Sequence, residues 1–133
     1  MKISEEEVAF VSAQESLEKG VSFIRDNSDI KILFVTLGNK GSIAYYKDEK
    51  IYCRGIHQEH VVDTTGAGDT FCGAVLSRIL ELGTDALTEK DIREMLLFAN
   101  AAASIVVTRK GALCSMPEPE EIRAASSLID KVL

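Results

Sequence analysis

With 133 residues, the chain has room for one domain and not comfortably for two. Its 46% hydrophobic and 27% charged residues, at a mean hydropathy of +0.06, describe an ordinary soluble globular protein with a sizeable core. The 15 Lys and Arg against 21 Asp and Glu leave a net charge of −6, which argues against a nucleic-acid or anionic-membrane surface. Nucleotides stay possible, because a few amides and one cation can bind phosphates on an acidic protein.

Along the chain, MKISEEEVAF is acidic and has no apolar stretch, so no signal or transit peptide is expected. Residues 4–11 predict a short helix with Ser4 as N-cap and Glu7 at the reciprocal capping position. A second helix is expected over residues 15–27, with Leu17, Val21 and Ile24 on one face. KILFVTL, residues 31–37, is a continuous apolar run ending at Gly38, which reads as a strand buried on both faces and suggests a parallel sheet. Residues 42–56 form a hairpin turning around residues 47–50. Residues 57–62 are expected as another strand, leading into DTTGAGDT at residues 63–70. From Gly68 a helix runs to Leu82, with Phe71, Val75, Ile79 and Leu82 at helical spacing and Gly83 as its stop.

Thr88 caps a longer helix reaching about residue 107, in which Ala101, Ala102 and Ala103 permit close packing. RKGALCSMPEPEEI is a loop holding both prolines, and a last helix is expected from 118 to about 131. The longest near-apolar stretch, residues 95–107, is too short to span a bilayer. Cys53, Cys72 and Cys114 include no CxxC pair, which points to free thiols in a reducing cytoplasm. The expected class is a layered α/β domain.

The informative segment is VVDTTGAGDTF, residues 61–71, placed between a strand and a helix. Small residues at 66–68 let the backbone approach a ligand, and the first helical amides with the helix dipole form a site for phosphate oxygens. It is neither GxxxxGK[ST] nor GxGxxG, since Phe71 occupies the last position of the latter. An acid at the mouth of such a hole needs a reason, because Asp69 would repel a ground-state phosphate. One reason is catalytic: Asp69 can accept the proton of an alcohol attacking a phosphorus held by the 66–68 amides. The other is structural, with Asp69 as a helix cap and the glycines as a tight turn. Residue chemistry leaves both open.

DTTGAGDTFCGAVL, residues 63–76, resembles the C-terminal signature of the ribokinase/PfkB family of carbohydrate kinases. TLGNKG at 36–41 is similar to that family's nucleotide-binding turn, FANAAASIVVTRKGA at 98–112 to the helix and loop walling its adenine site, and SEEE at 4–7 to its NxxE. The resemblance runs from about residue 2 to the end. It implies a ribokinase-like, three-layer, Rossmann-like α/β fold, present here as its C-terminal nucleotide-binding part. It implies Asp69 as catalytic base for a sugar hydroxyl and Gly66, Ala67 and Gly68 as the anion hole for the γ-phosphate of ATP. Thr36, Gly38 and Gly41 would line the nucleotide, with Asn100 near the adenine. A monovalent cation, K⁺, would sit on Asp63, Thr65, the carbonyls of Val106, Arg109 and Gly111, and Ser115. Glu7 would help organise Mg²⁺ and its water.

Ser4 departs from the family's Asn, a variation associated with fructokinase-like members. The larger departure is length: the resemblance implies that the family's N-terminal half, with the sugar site and the lid, lies outside these 133 residues. A sheet cut there exposes an edge unsuited to KILFVTL, so association with itself or with a separate N-terminal half is expected. The partners implied are a small sugar and ATP, with no nucleic acid and no membrane.

Four further features have plainer readings. Cys53, His57 and His60 lack a fourth ligand for zinc. Cys72 is expected as a small core residue, and Tyr45 and Tyr46 as packing on the sheet. Arg109 and Lys110 suit either phosphates or a helix C-terminus.

Overall fold

The computed structural model describes residues 1–111 and 113–130. In chain order the elements are β1 (Lys2–Ser4), α1 (Glu5–Ser12), α2 (Leu17–Asp26), β2 (Ile32–Thr36), β3 (Gly41–Tyr46), β4 (Glu49–Arg54), α3 (Ala67–Leu82), α4 (Glu89–Val106) and α5 (Pro119–Asp130). Single 3-10 turns lie at Gly38–Lys40 and Leu113–Ser115.

The four strands form one sheet in the order β1-β2-β3-β4. β2 shows why an apolar run must lie inside: alternate side chains feed two different cores. Ile32 and Phe34 join Ala44, Tyr46 and Ile51 against Phe71 and Val75 of α3, Ile92, Met95 and Leu96 of α4 and Ile122 of α5. Leu33 and Val35 join Ile43 and Tyr45 against Val8 of α1 and Val21 and Ile24 of α2. The result is the expected three-layer α/β arrangement, with α1 and α2 on one face and α3, α4 and α5 on the other.

Several sequence expectations need correction. The sheet is mixed: β2 runs parallel to β1 but antiparallel to β3. Burial on both faces therefore came from helices on both sides, not from parallel neighbours alone. KILFVTL does not stand at an edge, because β1 pairs Lys2, Ile3 and Ser4 with Phe34, Val35 and Thr36. Three residues are too few to show a period, so β1 is invisible to pattern reading. Residues 57–62 form no strand but an irregular path. Its end is tied to α4, with the Val62 amide donating to the Val107 carbonyl at 2.8 Å. Cys72 is half-buried, whereas Cys53 is buried and Cys114 exposed. The last helix is described to Asp130, and residue 131 lies outside the described residues.

Other expectations hold. Ser4 caps α1 in a reciprocal box with Glu7, and Thr88 caps α4 likewise with Asp91. The hairpin turns at Lys47, whose φ is 50°. Tyr45 and Tyr46 are buried in the sheet, and the Tyr46 hydroxyl donates to the Thr84 carbonyl at 3.0 Å. Among the described residues, no helix is long and apolar enough to cross a membrane.

Candidate functional site

A cavity of about 340 Å³ opens beyond the end of β2, within the usual size range of small-molecule pockets. Thr36, Gly38, Asn39 and Gly41 form one side, Gly55 to Gln58 a second, Thr64, Ala67, Gly68 and Phe71 a third, and Asn100, Ala103, Ser104 and Val107 the fourth. The site lies at the shared carboxyl end of the parallel pair β1 and β2, where open α/β sheets place their ligands.

Two glycines make that wall possible. Gly41 has φ 117°, and a Cβ there would overlap the Cys53 carbonyl and the Gly55 amide. A Cβ on Gly55 would in turn overlap the Asn39 carbonyl. The Gly55 amide donates to the Lys40 carbonyl at 2.9 Å, so the strand-end turn and the loop after β4 lie backbone to backbone.

Asn100 holds the opposite wall to the hairpin. Its Oδ1 accepts from the Ser42 hydroxyl at 2.9 Å, and its Nδ2 donates to the carbonyls of Cys53 at 3.2 Å and Arg54 at 3.3 Å. Asn100 lines the cavity, yet its amide is committed to the protein, so it offers the cavity shape rather than a hydrogen bond. Burial pushes the Cys53 thiol up, while Asn100 acts in the opposite direction.

α3 begins with no side-chain cap. Its N-cap is Gly66 at φ 83°, and the ladder starts with the Thr70 amide donating to the Gly66 carbonyl at 2.8 Å. The Ala67 amide makes a 3.3 Å bond to the Thr64 carbonyl. Among the described residues, the amides of Gly66, Gly68 and Asp69 donate to nothing. Asp69, on this first turn, is exposed and makes no capping bond, so the helix dipole is the one structural interaction left to it there. It stands outside the cavity lining, as does Gly66.

Asp63 fastens the loop before α3. Its Oδ1 accepts from the Thr65 amide at 2.9 Å and its Oδ2 from the Gly111 amide at 3.3 Å. The Thr65 hydroxyl and amide first, and the Gly111 amide after them, hold its carboxyl below the usual carboxylate range. Ser115 is buried and donates to the Lys110 carbonyl at 2.8 Å. Asp63, Thr65, Gly111 and Ser115 thus meet in one loop cluster linked to the end of α4, where Val106 and Arg109 lie. Arg109 bonds the Glu121 carboxylate at 2.5 Å and the Ser115 carbonyl at 3.5 Å, which favours a structural role for its side chain.

The structure does not bring Glu7 to the cavity wall. Its Oε2 accepts from the Ser4 amide at 2.7 Å, leaving its other oxygen uncommitted. The described residues assemble no group of three His, Cys, Asp or Glu able to hold a metal, so Cys53, His57 and His60 remain apart from any such cluster.

The pattern for pfkB family carbohydrate kinases matches residues 1–119. The chain belongs to that family. Fructokinase-1 of Oryza sativa subsp. japonica is 38% identical over 125 residues, which are 92% of this chain and 38% of that protein. The fructokinase of Vibrio cholerae O395, solved with fructose, ADP and a calcium ion, superposes with a TM-score of 0.82 at 32% identity, over 92% of this chain and 39% of the other. A putative ribokinase II from E. coli, solved with ATP and Mg²⁺, has a TM-score of 0.79 at 30% identity, over 96% and 38%. The chain therefore spans about two fifths of the length of these relatives, and its ribokinase-like fold matches the expectation from residues 63–76.

Sequence reading missed the wall from Gly55 to Gln58, because an irregular segment has no period. It also missed Lys2, whose ammonium lies against α3. The signal for Lys2 was β1 itself, legible only once β2 supplies its partner.

Proposed function

We propose that residues 1–133 form the C-terminal nucleotide-binding and catalytic part of an ATP-dependent sugar kinase of fructokinase type. The observation that carries this reading is the uncapped start of α3, with free amides and an uncommitted Asp69 beside the cavity. The nucleotide occupies the cavity along Thr36, Gly38, Gly41 and Asn100, with its γ-phosphate at the Gly66–Gly68 turn. A sugar hydroxyl gives its proton to the Asp69 carboxylate as its oxygen bonds to the γ-phosphorus. The bond from that phosphorus to the β–γ bridging oxygen breaks, and ADP leaves with the electron pair.

The donor set of the loop cluster fits the monovalent cation. Asp63, Thr65, Ser115 and the carbonyls of Val106, Arg109 and Gly111 all offer oxygen, the type that suits an alkali ion. Glu7 stands off the cavity wall, so its uncommitted oxygen would reach Mg²⁺ only through water. When bound, Mg²⁺ neutralises charge on the phosphate oxygens. Asp63 keeps the loop closed through Thr65 and Gly111, and so orders the amides that follow it.

Calorimetry of Mg-ATP and Mg-ADP with this chain, with and without K⁺, tests the site. Binding that tightens with K⁺ is expected, and a folded chain that binds neither nucleotide overturns the reading. A second reading, a nucleotide module that turns over only beside a complementary N-terminal half, is favoured by the outer edge of β1, against which no strand lies among the described residues. Phe10 on α1 and Leu80 on α3 are 88% and 87% exposed, as surfaces awaiting a partner would be. Fructose phosphorylation by the chain alone would exclude it.

A further inference from the structure

We propose that Lys2 is a phosphate-binding residue of this site, its ammonium taking the terminal phosphoryl oxygens together with the α3 amides; the inference rests on the nucleotide reading above. Lys2 pairs in register with Phe34, so its side chain leaves the sheet on the face covered by α3. There it lies on the first turn of that helix. A side-chain carbon added to Gly68 would come 3.2 Å from the Lys2 Nζ and 4.0 Å from its Cε. The glycine thus leaves open the space the ammonium uses, on the turn that also lines the cavity.

The charges make this placement informative. The start of a helix carries partial positive charge, and a lysine beside it is repelled unless an anion lies between them. Among the described residues, no carboxylate forms an ion pair with Lys2. Asp69, on the same turn, is not within ion-pair reach either. The Lys2 ammonium and the helix start therefore meet at the first turn of α3, next to the cavity lining, with no ion-paired counter-charge among the described residues. A triphosphate tail supplies one, and an unphosphorylated nucleoside does not.

The test is calorimetry of the chain with Mg-ATP and with adenosine. Lys2→Met keeps an unbranched apolar stem and should weaken Mg-ATP about ten-fold or more, the usual worth of a hydrogen bond to a charged group. Adenosine affinity should not change, and Lys2→Arg should restore most of the loss. If Lys2→Met lowers the melting midpoint, Lys2→Gln against Lys2→Arg makes the same comparison. Equal losses for ATP and adenosine, or no loss for either, overturn the role of Lys2 while leaving the nucleotide site standing. An unaltered chain that binds neither ligand overturns both.

Discussion

α3 and α4 lie side by side on the same face of the sheet, and each carries an aspartate as its third residue, yet the two acids do opposite things. In α4, Thr88 caps the helix: its hydroxyl oxygen accepts from the Asp91 amide at 3.2 Å, and Asp91 accepts from the Thr88 amide at 2.8 Å. The Thr88 hydroxyl and amide hold the Asp91 carboxyl below its usual range. In α3 the matching cap position is Gly66, which has no side chain to close the end, and Asp69 reaches back to nothing. A closed helix start stabilises the fold. An open one leaves donors for a ligand, and the difference is set by one residue, Thr or Gly, three places before the acid.

The sharpest way to break this comparison is to neutralise each acid in turn. Asp69→Asn should reduce turnover by the complete kinase on the order of 100-fold or more, the scale of general-base assistance, with the melting midpoint and nucleotide affinity nearly unchanged. Asp91→Asn should do the reverse, lowering the midpoint and leaving turnover alone. If both substitutions act on stability alone, the distinction fails.

Asn100→Ala removes the tie between α4 and the hairpin and leaves Ser42 and two carbonyls without their partner. It should cost about 2 kcal/mol in denaturant unfolding, and it should weaken nucleotide binding because the opposed cavity walls lose their clamp. Thr88→Ala should cost about 1 kcal/mol with no effect on nucleotide, which calorimetry alongside thermal melting would show.

The smallest effect concerns pH. The folded Asp63 carboxyl titrates below its ordinary value, so the ionised form is the one the fold favours. Its contribution is present above the usual carboxylate range and is lost as pH falls through the lowered value. The protection of the Thr65 and Gly111 amides, relative to their intrinsic exchange rates, should therefore fall in acid before the rest of the chain opens, and in Asp63→Asn that fall should vanish.

Much of this architecture was legible because its signals were local. The capping boxes at Ser4 and Thr88, the stop at Gly83 and the two-faced apolar run of β2 each depend on residues within one element. The mixed sheet was not legible, since strand direction follows from connections and not from the run itself. The stretch 57–62 ends in Val61 and Val62, which suggest a strand, but its backbone bonds to the end of α4 instead of a neighbouring strand. In the site, the turn at 66–69 was readable from its residue types. The commitment of the Asn100 amide and the position of Lys2 were not, because both depend on partners 40 or more residues away in sequence for Asn100 and on another element for Lys2.

β1 joins features described separately above. Its three residues hold the cap of α1 at Ser4, the lysine against α3 and an outer edge that no strand covers among the described residues. A strand laid along that edge would fix the backbone from which the Lys2 side chain springs. Association at the edge and anion binding at α3 would then be thermodynamically linked. Each would raise the affinity of the other by the same factor, so a phosphate ligand would report on the partner, and the partner on the ligand.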